Sequence, residues 1–251
     1  MIRFTYKKRG ILIEQQWFTG GKECDCNPGT GVLIIHGVSE EDIKRGERDR
    51  QDTLLTDLTA SEDDIYSLFK KNTKYEIRRA EKEGAIYKAY FEDDITEDLL
   101  YKFSEVYEKM YQSKGLNRKM NMPLMKACHK EGCLAITTCS IGDELIIFHS
   151  YLYDECNTRL YQSCSLFRDN PDETKIIGMS NRGLHWYDMR LFKQRGIKQY
   201  DWGGVASLNE PNGIDKFKMG FGGTPKTYFN VTVPMNLSGK LAVTISNKLH
   251  K

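Results

Sequence analysis

The order of the predicted elements indicates a mixed α/β (α+β) fold, whose mostly antiparallel sheet gains one strand through a long crossover helix. Three observations in the C-terminal half predict it: three successive apolar strands joined by tight polar turns, one long helix after them, and a short strand beyond that helix. A strand, a helix and a strand at this spacing favour a right-handed crossover. We therefore expect one parallel strand pair in an otherwise antiparallel sheet.

The first part of the chain is rich in strand signals. Strands are predicted at residues 1–6, 11–18 and 31–36, separated by turn residues that include Gly10 and Pro28. The very polar stretch 39–52 is predicted to be a short helix or a loop. We take residues 1–60 as a β-rich N-terminal portion and residues 61–251 as the main domain.

Capping signals predict four helices in the middle of the chain. The predicted N-caps are Ser61, Thr73 and Thr96, and Pro123 suits the first turn of the fourth helix. The second helix, residues 74–83, is basic. The following meander is predicted at residues 133–141, 144–153 and 159–167, the crossover helix at 174–195, and the next strand at 198–202. A short helix at 214–219, a strand at 226–233 and a terminal helix at 237–251 complete the prediction.

This order of elements is that of the GNAT-like acyl-CoA N-acyltransferase fold. In that fold the meander and the following parallel strand splay apart, and the gap exposes unpaired backbone groups that an acyl donor can use. Because one fold hosts many functions, the function has to be argued from the residues at that gap.

Composition and charge exclude several classes of function. The chain has 251 residues with 39% hydrophobic and 29% charged residues, which is typical of a globular protein. The formal net charge of +2 gives no domain-wide basic field for nucleic acid. The longest apolar runs are too short to span a bilayer, and residues 1–10 are followed by no signal-peptide pattern, which predicts a cytoplasmic protein.

The seven cysteines lie at irregular positions, and their odd number favours reduced thiols. Cys24 and Cys26 form one C-x-C pair, and Cys128, His129 and Cys133 form a loose second cluster. A structural zinc site needs four ligands that converge from such pairs. We expect small buried thiols here and no metal site.

Three separated stretches carry the strongest motifs. YDWGG at residues 200–204 is followed by GIDKFKMGFGG at 213–223, LFKKNTKYEIRRAEKEG lies at 68–84, and GLHW lies at 183–186. Together they resemble the Fem-type (FemABX) family of peptidoglycan-bridge aminoacyltransferases, whose patterns are a YDFGG strand followed by FKxGFGG, a helix of the form FxKxTRYNIRKAEKxG, and LHW. The matches fall in the family's order.

The resemblance implies an acyltransferase that forms an amide bond by transferring an aminoacyl or acyl group to an amine on a peptidoglycan or polysaccharide precursor. It implies no bound cofactor and an activated donor as co-substrate, with aminoacyl-tRNA favoured and acyl-CoA or acyl carrier protein as alternatives. The expected partners are charged tRNA and an anionic precursor linked to a nucleotide or a lipid. Family members usually have two such domains, so residues 1–60 are expected to be a reduced half-domain.

Three residues are candidates for catalysis. An ammonium near the donor carbonyl stabilises the oxyanion that forms during attack, and the resemblance gives this role to Lys218. Asp201, at a strand end, is predicted either to orient the attacking amine or to cap the following loop. His149, in the meander, is predicted either to relay a proton or to be a hydrogen-bonded core residue. His185 is interpreted as a packing residue.

The candidates for substrate binding fall into two groups. Gly203 and Gly204 let the backbone adopt positive φ and let a substrate approach closely, although a simple turn also explains them. Trp202, Phe217 and Tyr151 are expected to lie beside them.

The second group is a basic row on the helix at 74–83, in which Lys74 and Arg78 share one face. Such a row can bind the phosphates of a precursor or of tRNA. A solvated face with intervening glutamates is the alternative.

Two other functions stay open. One is a conventional N-acyltransferase that uses acyl-CoA or acyl carrier protein on an amino sugar or small amine. Its CoA-binding turn is normally rich in glycine, whereas residues 167–175 here read FRDNPDETK, with no glycine and three acids. The other is a non-catalytic binding module, which the intact glycine-rich setting of Lys218 disfavours.

Overall fold

The computed structural model of the protein describes residues 1–20, 25–166 and 171–249. Within these ranges the strands are β1 (Ile2–Lys8), β2 (Ile11–Trp17), β3 (Val32–Val38), β4 (Glu47–Asp57), β5 (Ala85–Phe91), β6 (Leu134–Ile141), β7 (Glu144–Tyr153), β8 (Asn157–Ser165), β9 (Gln199–Asp201) and β10 (Thr224–Pro234). The helices are α1 (Glu62–Ser67), α2 (Lys71–Lys82), α3 (Glu97–Gln112), α4 (Met122–Lys130), α5 (Pro171–Gln194), α6 (Gly213–Met219) and α7 (Leu237–Leu249).

The ten strands form one sheet in the order β1-β2-β3-β10-β4-β9-β8-β7-β6-β5. Strands β6, β7 and β8 are the predicted antiparallel meander, and α5 crosses from β8 to its parallel neighbour β9. A second parallel pair joins β2 to β3. The predicted mixed, mostly antiparallel fold with a crossover helix is confirmed. The division of the chain at residue 60 stays a prediction. Strands from both sides of this residue belong to the same sheet.

The parallel pair β8–β9 is short, and this shortness creates the splay. Their register covers three residue pairs, the last of which is Arg159 with Asp201. Beyond it β8 continues to Ser165, while the chain after β9 turns away at Gly203. The backbone edge of β8 therefore lacks β9 as a partner after Arg159, as the fold requires.

Two local predictions were wrong, and one strand was not predicted. The stretch 39–52 holds a single helical turn at Glu40–Asp42 and then the first half of β4, where exposed charged residues hid the strand pattern. Strand β5 was not predicted, although its burial alternates at first. Helix α2 begins after Lys70 rather than at Thr73, which lies buried inside the helix.

The core has two main layers, one on each face of the sheet. Helices α3 and α4 pack on one face, where the rings of Phe103 and Phe148 stack with centroids 5.2 Å apart. Helices α1, α2 and α5 pack on the other face, against sheet residues that include Tyr151 and Leu160. Successive residues of β7 therefore face opposite layers, and each fully buried large side chain contributes about 1.5–3 kcal/mol.

The helices in the described ranges include none that is long and apolar enough to cross a membrane. The predicted turn at the start of the crossover helix lies partly outside the described residues, because residues 167–170 belong to the gap.

Candidate active site

The three sequence motifs, far apart in the chain, meet in space around one aromatic cluster. Phe69, from the 68–84 motif, packs edge-on against both Trp186 and Phe221, with ring centroids 5.3 and 5.1 Å apart. The Phe221 ring lies 4.7 Å from that of Trp202. The motifs thus build one region, at the point where β9 ends and α6 begins.

The Gly203-Gly204 turn closes the splay from one side. Both residues have positive φ, +66° and +43°. A Cβ atom on Gly203 would lie 2.2 Å from the carbonyl oxygen of Leu160 on β8, a distance that the backbone cannot accept. The N–H of Gly203 donates to Oδ1 of Asp201 at 2.8 Å. Only glycine fits this position, and the turn lies directly against β8.

Helix α6 places Lys218 over this turn. The helix begins with a capping box between Asn212 and Asp215, and the buried Asp215 carboxylate also accepts the backbone N–H of Ala206 at 2.9 Å. Lys218 follows one turn later. Its ammonium donates to the carbonyl oxygens of Gly203 at 3.0 Å and Gly204 at 2.7 Å. The loop, the helix and the glycine turn therefore fix one another.

The surroundings of Lys218 change its acidity. Burial lowers the pKa of its ammonium to about 8, the nearby Arg159 guanidinium acts in the same direction, and Asp201 and Asp215 oppose them. At neutral pH the group therefore stays mainly protonated. An ammonium has three N–H donors, and the two glycine carbonyls accept two of them. The third has no hydrogen-bond partner among the described residues, and it is available to an oxyanion.

Asp201 is held from three sides. Its carboxylate accepts the Thr53 hydroxyl at 2.5 Å and Nη1 of Arg159 at 2.5 Å, besides the Gly203 N–H. The side chains of Asp201 and Arg159 are both about nine-tenths buried. These contacts occupy both carboxylate oxygens. They connect the end of β9 to β4, to β8 and to the turn beneath Lys218.

His149 is fully buried and takes part in a polar network. Its Nδ1 lies 2.8 Å from Oδ2 of Asp188, and its Nε2 lies 2.8 Å from Oδ1 of Asn181, both on α5. The Tyr151 hydroxyl donates to the same Asp188 oxygen at 2.5 Å and lies 2.8 Å from the Tyr200 hydroxyl.

The network continues to His185, whose Nδ1 lies 3.0 Å from the Tyr200 hydroxyl. Burial raises the pKa of Tyr151 and Tyr200 well above the ordinary value for tyrosine. Burial also lowers the pKa of His185 well below its ordinary value, and the neighbouring His149 and Lys218 act in the same direction. The hydroxyls are therefore protonated and His185 is neutral at neutral pH. Its ring packs against Phe217 and Trp202.

The same network contains a group of residues that could ligate a metal. His149, His185 and Asp188 place one ligand atom each within 4.8 Å of one another. In the described part of the chain, this is the only group of three or more potential metal ligands that come together. Their hydrogen bonds to one another and to the tyrosines already account for most of these atoms. The expectation of no metal site stays a prediction.

The basic row lies outside this cluster. The Lys74 ammonium donates to the carbonyl oxygen of Ser67 at 2.8 Å and lies over the Tyr66 ring, so it fastens α2 to α1. Arg78 is exposed. A half-buried ion pair between Glu76 and Arg182, at 2.6 Å, fastens the same helix to α5.

The predicted site residues therefore occupy four places. Asp201, Gly203, Gly204, Phe217 and Lys218 come together at the splay. Trp202 lies fully buried beneath the turn, with its indole N–H donating to the Thr56 hydroxyl at 3.1 Å. His149 and Tyr151 lie in the buried network, and Lys74 and Arg78 lie on α2.

Sequence reasoning missed several residues that shape the site. Arg159 was predicted only as the first residue of a strand. A charged residue beside apolar strand positions indicates a buried partner of opposite charge, and this could have identified it. Asp188 lies three residues after His185 on the crossover helix, a spacing that places both on one face. Thr53 gave no signal, because its strand was not predicted.

Comparison with known proteins gives matches among solved structures. No family model matches the chain, and no curated protein matches it. The C-terminal domain (DUF2156) of an Agrobacterium fabrum protein assigned as a lysylphosphatidylglycerol synthetase aligns with a TM-score of 0.58 and 12% identity, over 88% of this chain and 73% of that one.

Two further structures align similarly. FemX has a TM-score of 0.58 at 12% identity, over 82% of this chain and 73% of that one. L-PGS from Bacillus licheniformis has a TM-score of 0.56 at 12% identity, over 86% of this chain and 72% of that one. The chain therefore shares the fold of FemX and of these synthetase domains, as the resemblance in its motifs predicted.

Proposed function

We propose that the protein is an acyltransferase that forms an amide bond at the splay between β8 and β9. The observation that carries the proposal is the ammonium of Lys218, which two glycine carbonyls fix and which keeps one N–H without a partner among the described residues. A fixed donor of this kind stabilises the oxyanion of acyl transfer. It lies where the edge of β8 loses its partner strand.

The reaction follows from this geometry. The free backbone edge of β8 binds the extended part of the donor, next to the turn formed by Gly203 and Gly204. The acceptor amine attacks the donor carbonyl, and Lys218 binds the resulting oxyanion. The new C–N bond forms, the C–O bond of the donor ester breaks, and the proton of the amine leaves with the alcohol.

The transfer is direct and forms no covalent enzyme intermediate. Burial raises the pKa of the Cys139 thiol to about 12, and it raises the pKa of Cys128 and Cys164 as well. Such thiols are poor nucleophiles at neutral pH. None of the cysteines of the sequence has a recognisable nucleophile motif beside a base.

For the substrates we propose an aminoacyl-tRNA as donor and the amine of an anionic, nucleotide- or lipid-linked envelope precursor as acceptor, in the cytoplasm. The support is the fold shared with FemX and the three motifs that meet at the rings of Phe69, Trp186 and Phe221. Asp201 serves as a positioning residue in this proposal, because its oxygens hold the turn and Arg159. His149 supports the site through the buried network.

The test is single-turnover transfer from charged tRNA to precursor extracts, with acetyl-CoA as the competing donor. The product is identified by mass spectrometry. Lys218→Met, with an unchanged circular dichroism spectrum, should form the mass-shifted product at least about 10²-fold more slowly. Transfer from acetyl-CoA alone, together with saturable micromolar CoA binding in calorimetry, would replace tRNA by CoA as the donor. No transfer from either donor would contradict the proposal.

A further inference from the structure

A cavity of about 270 Å³ opens beside the ion pair of Arg159 and Asp201, and the reaction derived above does not use it. It lies between β8–β9 and the strands β2, β3 and β10. Aromatic side chains of Trp17, His36 and Tyr228 line it, and the rings of Trp17 and His36 stack with centroids 3.5 Å apart. The volume is just below the ~300–1,000 Å³ of typical ligand pockets, which suits one group of amino-acid size.

Two groups at this cavity, one buried hydroxyl and one guanidinium, have N–H or O–H donors without a hydrogen-bond partner among the described residues. Tyr228 is 6% exposed, and its hydroxyl is buried with no hydrogen-bond partner in the described ranges. Arg159 is 8% exposed and gives Nη1 to Asp201, while its other N–H groups have no hydrogen-bond partner in residues 1–20, 25–166 and 171–249. Its guanidinium lies over the rings of Trp17 and Tyr228, at 5.6 and 5.1 Å.

Buried polar groups are nearly always hydrogen-bonded, so the Tyr228 hydroxyl indicates a ligand with an acceptor oxygen, and the N–H groups of Arg159 can bind the same ligand. The charges at the cavity indicate the chemical class of this ligand. Asp201 neutralises part of the Arg159 charge, and Lys226 adds a further cation at the same cavity. The net charge is therefore close to that of one cation, which matches the single charge of a carboxylate better than the double charge of a phosphate. A guanidinium edge also fits a planar carboxylate.

Position connects this cavity to the reaction. Asp201 lines the cavity and at the same time holds the N–H of Gly203, whose carbonyl accepts from Lys218. A group bound at Arg159 thus lies beside the turn where the acyl group is transferred. We propose that this cavity binds a carboxylate of the acceptor, so that the acceptor is the amine of an amino acid or peptide rather than of an amino sugar. The inference rests on the function proposed above.

The test is calorimetric binding of two probes that differ in one group, alanyl-alanine and its C-terminal amide. The dipeptide should bind at least about tenfold more tightly than the amide. Tyr228→Phe should weaken dipeptide binding by about tenfold without lowering the melting temperature, because the hydroxyl has no partner to lose. Arg159→Lys keeps the charge but loses the planar edge, and it should remove the preference for the acid.

Tyr75→Phe is the matched control, since Tyr75 is 53% exposed on α2 and should change nothing. Equal binding of acid and amide, or no binding of either, would overturn the inference. Tighter binding of inorganic phosphate would assign the cavity to a phosphate, and tighter binding of glucosamine would assign it to an amino sugar.

The two proposals fail separately. Lys218→Met should keep dipeptide binding, because Lys218 is absent from the cavity lining. Loss of the carboxylate preference together with turnover that depends on Lys218 would overturn only the carboxylate site. Carboxylate binding together with turnover that is unchanged by Lys218→Met would contradict only the proposed reaction.

Discussion

The backbone N–H of Lys70 donates to the carbonyl oxygen of Gly220 at 2.8 Å, and this bond joins the start of α2 to the end of α6. A Cβ atom on Gly220 would lie 2.7 Å from the Thr73 hydroxyl, so the two elements are also in close contact. Phe69 and Phe221 pack beside the bond. The position of Lys218 therefore depends on a helix that begins nearly 150 residues earlier in the chain.

Lys218→Met should lower kcat by about 10²-fold or more while the protein stays folded. The loss corresponds to ~3–4 kcal/mol of oxyanion stabilisation. The apolar side chain has a similar length but loses the hydrogen bonds to the carbonyls of Gly203 and Gly204, so we expect a loss of about 1–3 kcal/mol of stability in a protein that still folds. Single-turnover rates of the folded variant measure the effect. Turnover close to that of the wild type would remove Lys218 from the mechanism.

The pH dependence should reveal the same group. Because the active form is the ammonium and burial lowers its pKa to about 8, the activity that depends on Lys218 should fall as the pH rises through about 8. Lys218→Arg keeps its charge in this range, so this fall should disappear even if the rate is lower. A pH profile of kcat for both proteins decides it, and an identical fall in the arginine variant would assign the titration to another group.

Unfolding does not explain a fall of this kind. The pKa of Lys218 is lower in the folded protein than its ordinary value of 10.5, so the unfolded chain binds more protons between about pH 8 and 10.5. The contribution of this residue to the free energy of unfolding therefore rises over that window. Denaturant titrations of wild type and Lys218→Met at pH 7 and pH 10 should show the wild type gaining relative to the variant.

Gly203→Ala and Gly204→Ala should differ in cost although they are neighbours in one turn. Both would force alanine into positive φ, at roughly 1–2 kcal/mol. Only at position 203 would the new Cβ also collide with a backbone atom, the carbonyl oxygen of Leu160, whereas at position 204 the nearest atom is 3.8 Å away.

We expect Gly203→Ala to destabilise the protein by roughly 1–3 kcal/mol more than Gly204→Ala. It should also displace the carbonyl that holds Lys218 and reduce kcat. Chemical denaturation and kinetics of the two variants provide the comparison. Equal losses would mean that the splay accommodates a methyl group at position 203.

Arg78→Ala should raise the KM of an anionic substrate more than it lowers kcat, and the effect should shrink as salt is added. Arg78 is exposed on α2, so stability should not change. Arg79→Ala is the control, because the neighbouring Arg79 is already paired with Glu83. Steady-state kinetics at low and high salt measure the difference. An unchanged KM at low salt would mean that the basic row on α2 is a solvated helix face without a role in substrate binding.

Lys74→Ala should behave differently from Arg78→Ala. The Lys74 ammonium donates to the Ser67 carbonyl, so the substitution should also cost about 1 kcal/mol of stability. The sequence analysis placed both residues in one basic row. Helical periodicity shows that two residues share a face, but it does not show which group each side chain contacts.

The predictable part of the fold was the part with regular patterns. The meander consists of apolar stretches joined by tight polar turns, the crossover helix is long, and Ser61 and Thr96 carry real capping bonds. Strand β4 was not predicted, because its first half is exposed and charged and because it pairs with β9 and β10, which are far away in sequence. Local patterns do not contain such contacts.

The candidate site divides in the same way. Lys218 and the glycine turn stood out, since their residue types and spacing form a motif. The partners of Asp201 did not, because Thr53 and Arg159 are brought to it by neighbouring strands rather than by sequence spacing. A cavity formed between separate strands likewise leaves no trace in a linear pattern.

The place of β4 and β10 in the sheet has a consequence for synthesis on the ribosome. Strand β4 has β9 and β10 as its neighbours, and β3 needs β10 on one side, yet β9 and β10 lie in the last quarter of the chain. The N-terminal strands therefore emerge long before their partners and keep open edges that can associate with other chains. Folding of the central sheet has a high contact order and should be slow, so a nascent chain that stops before Thr224 is expected to aggregate or to need a chaperone.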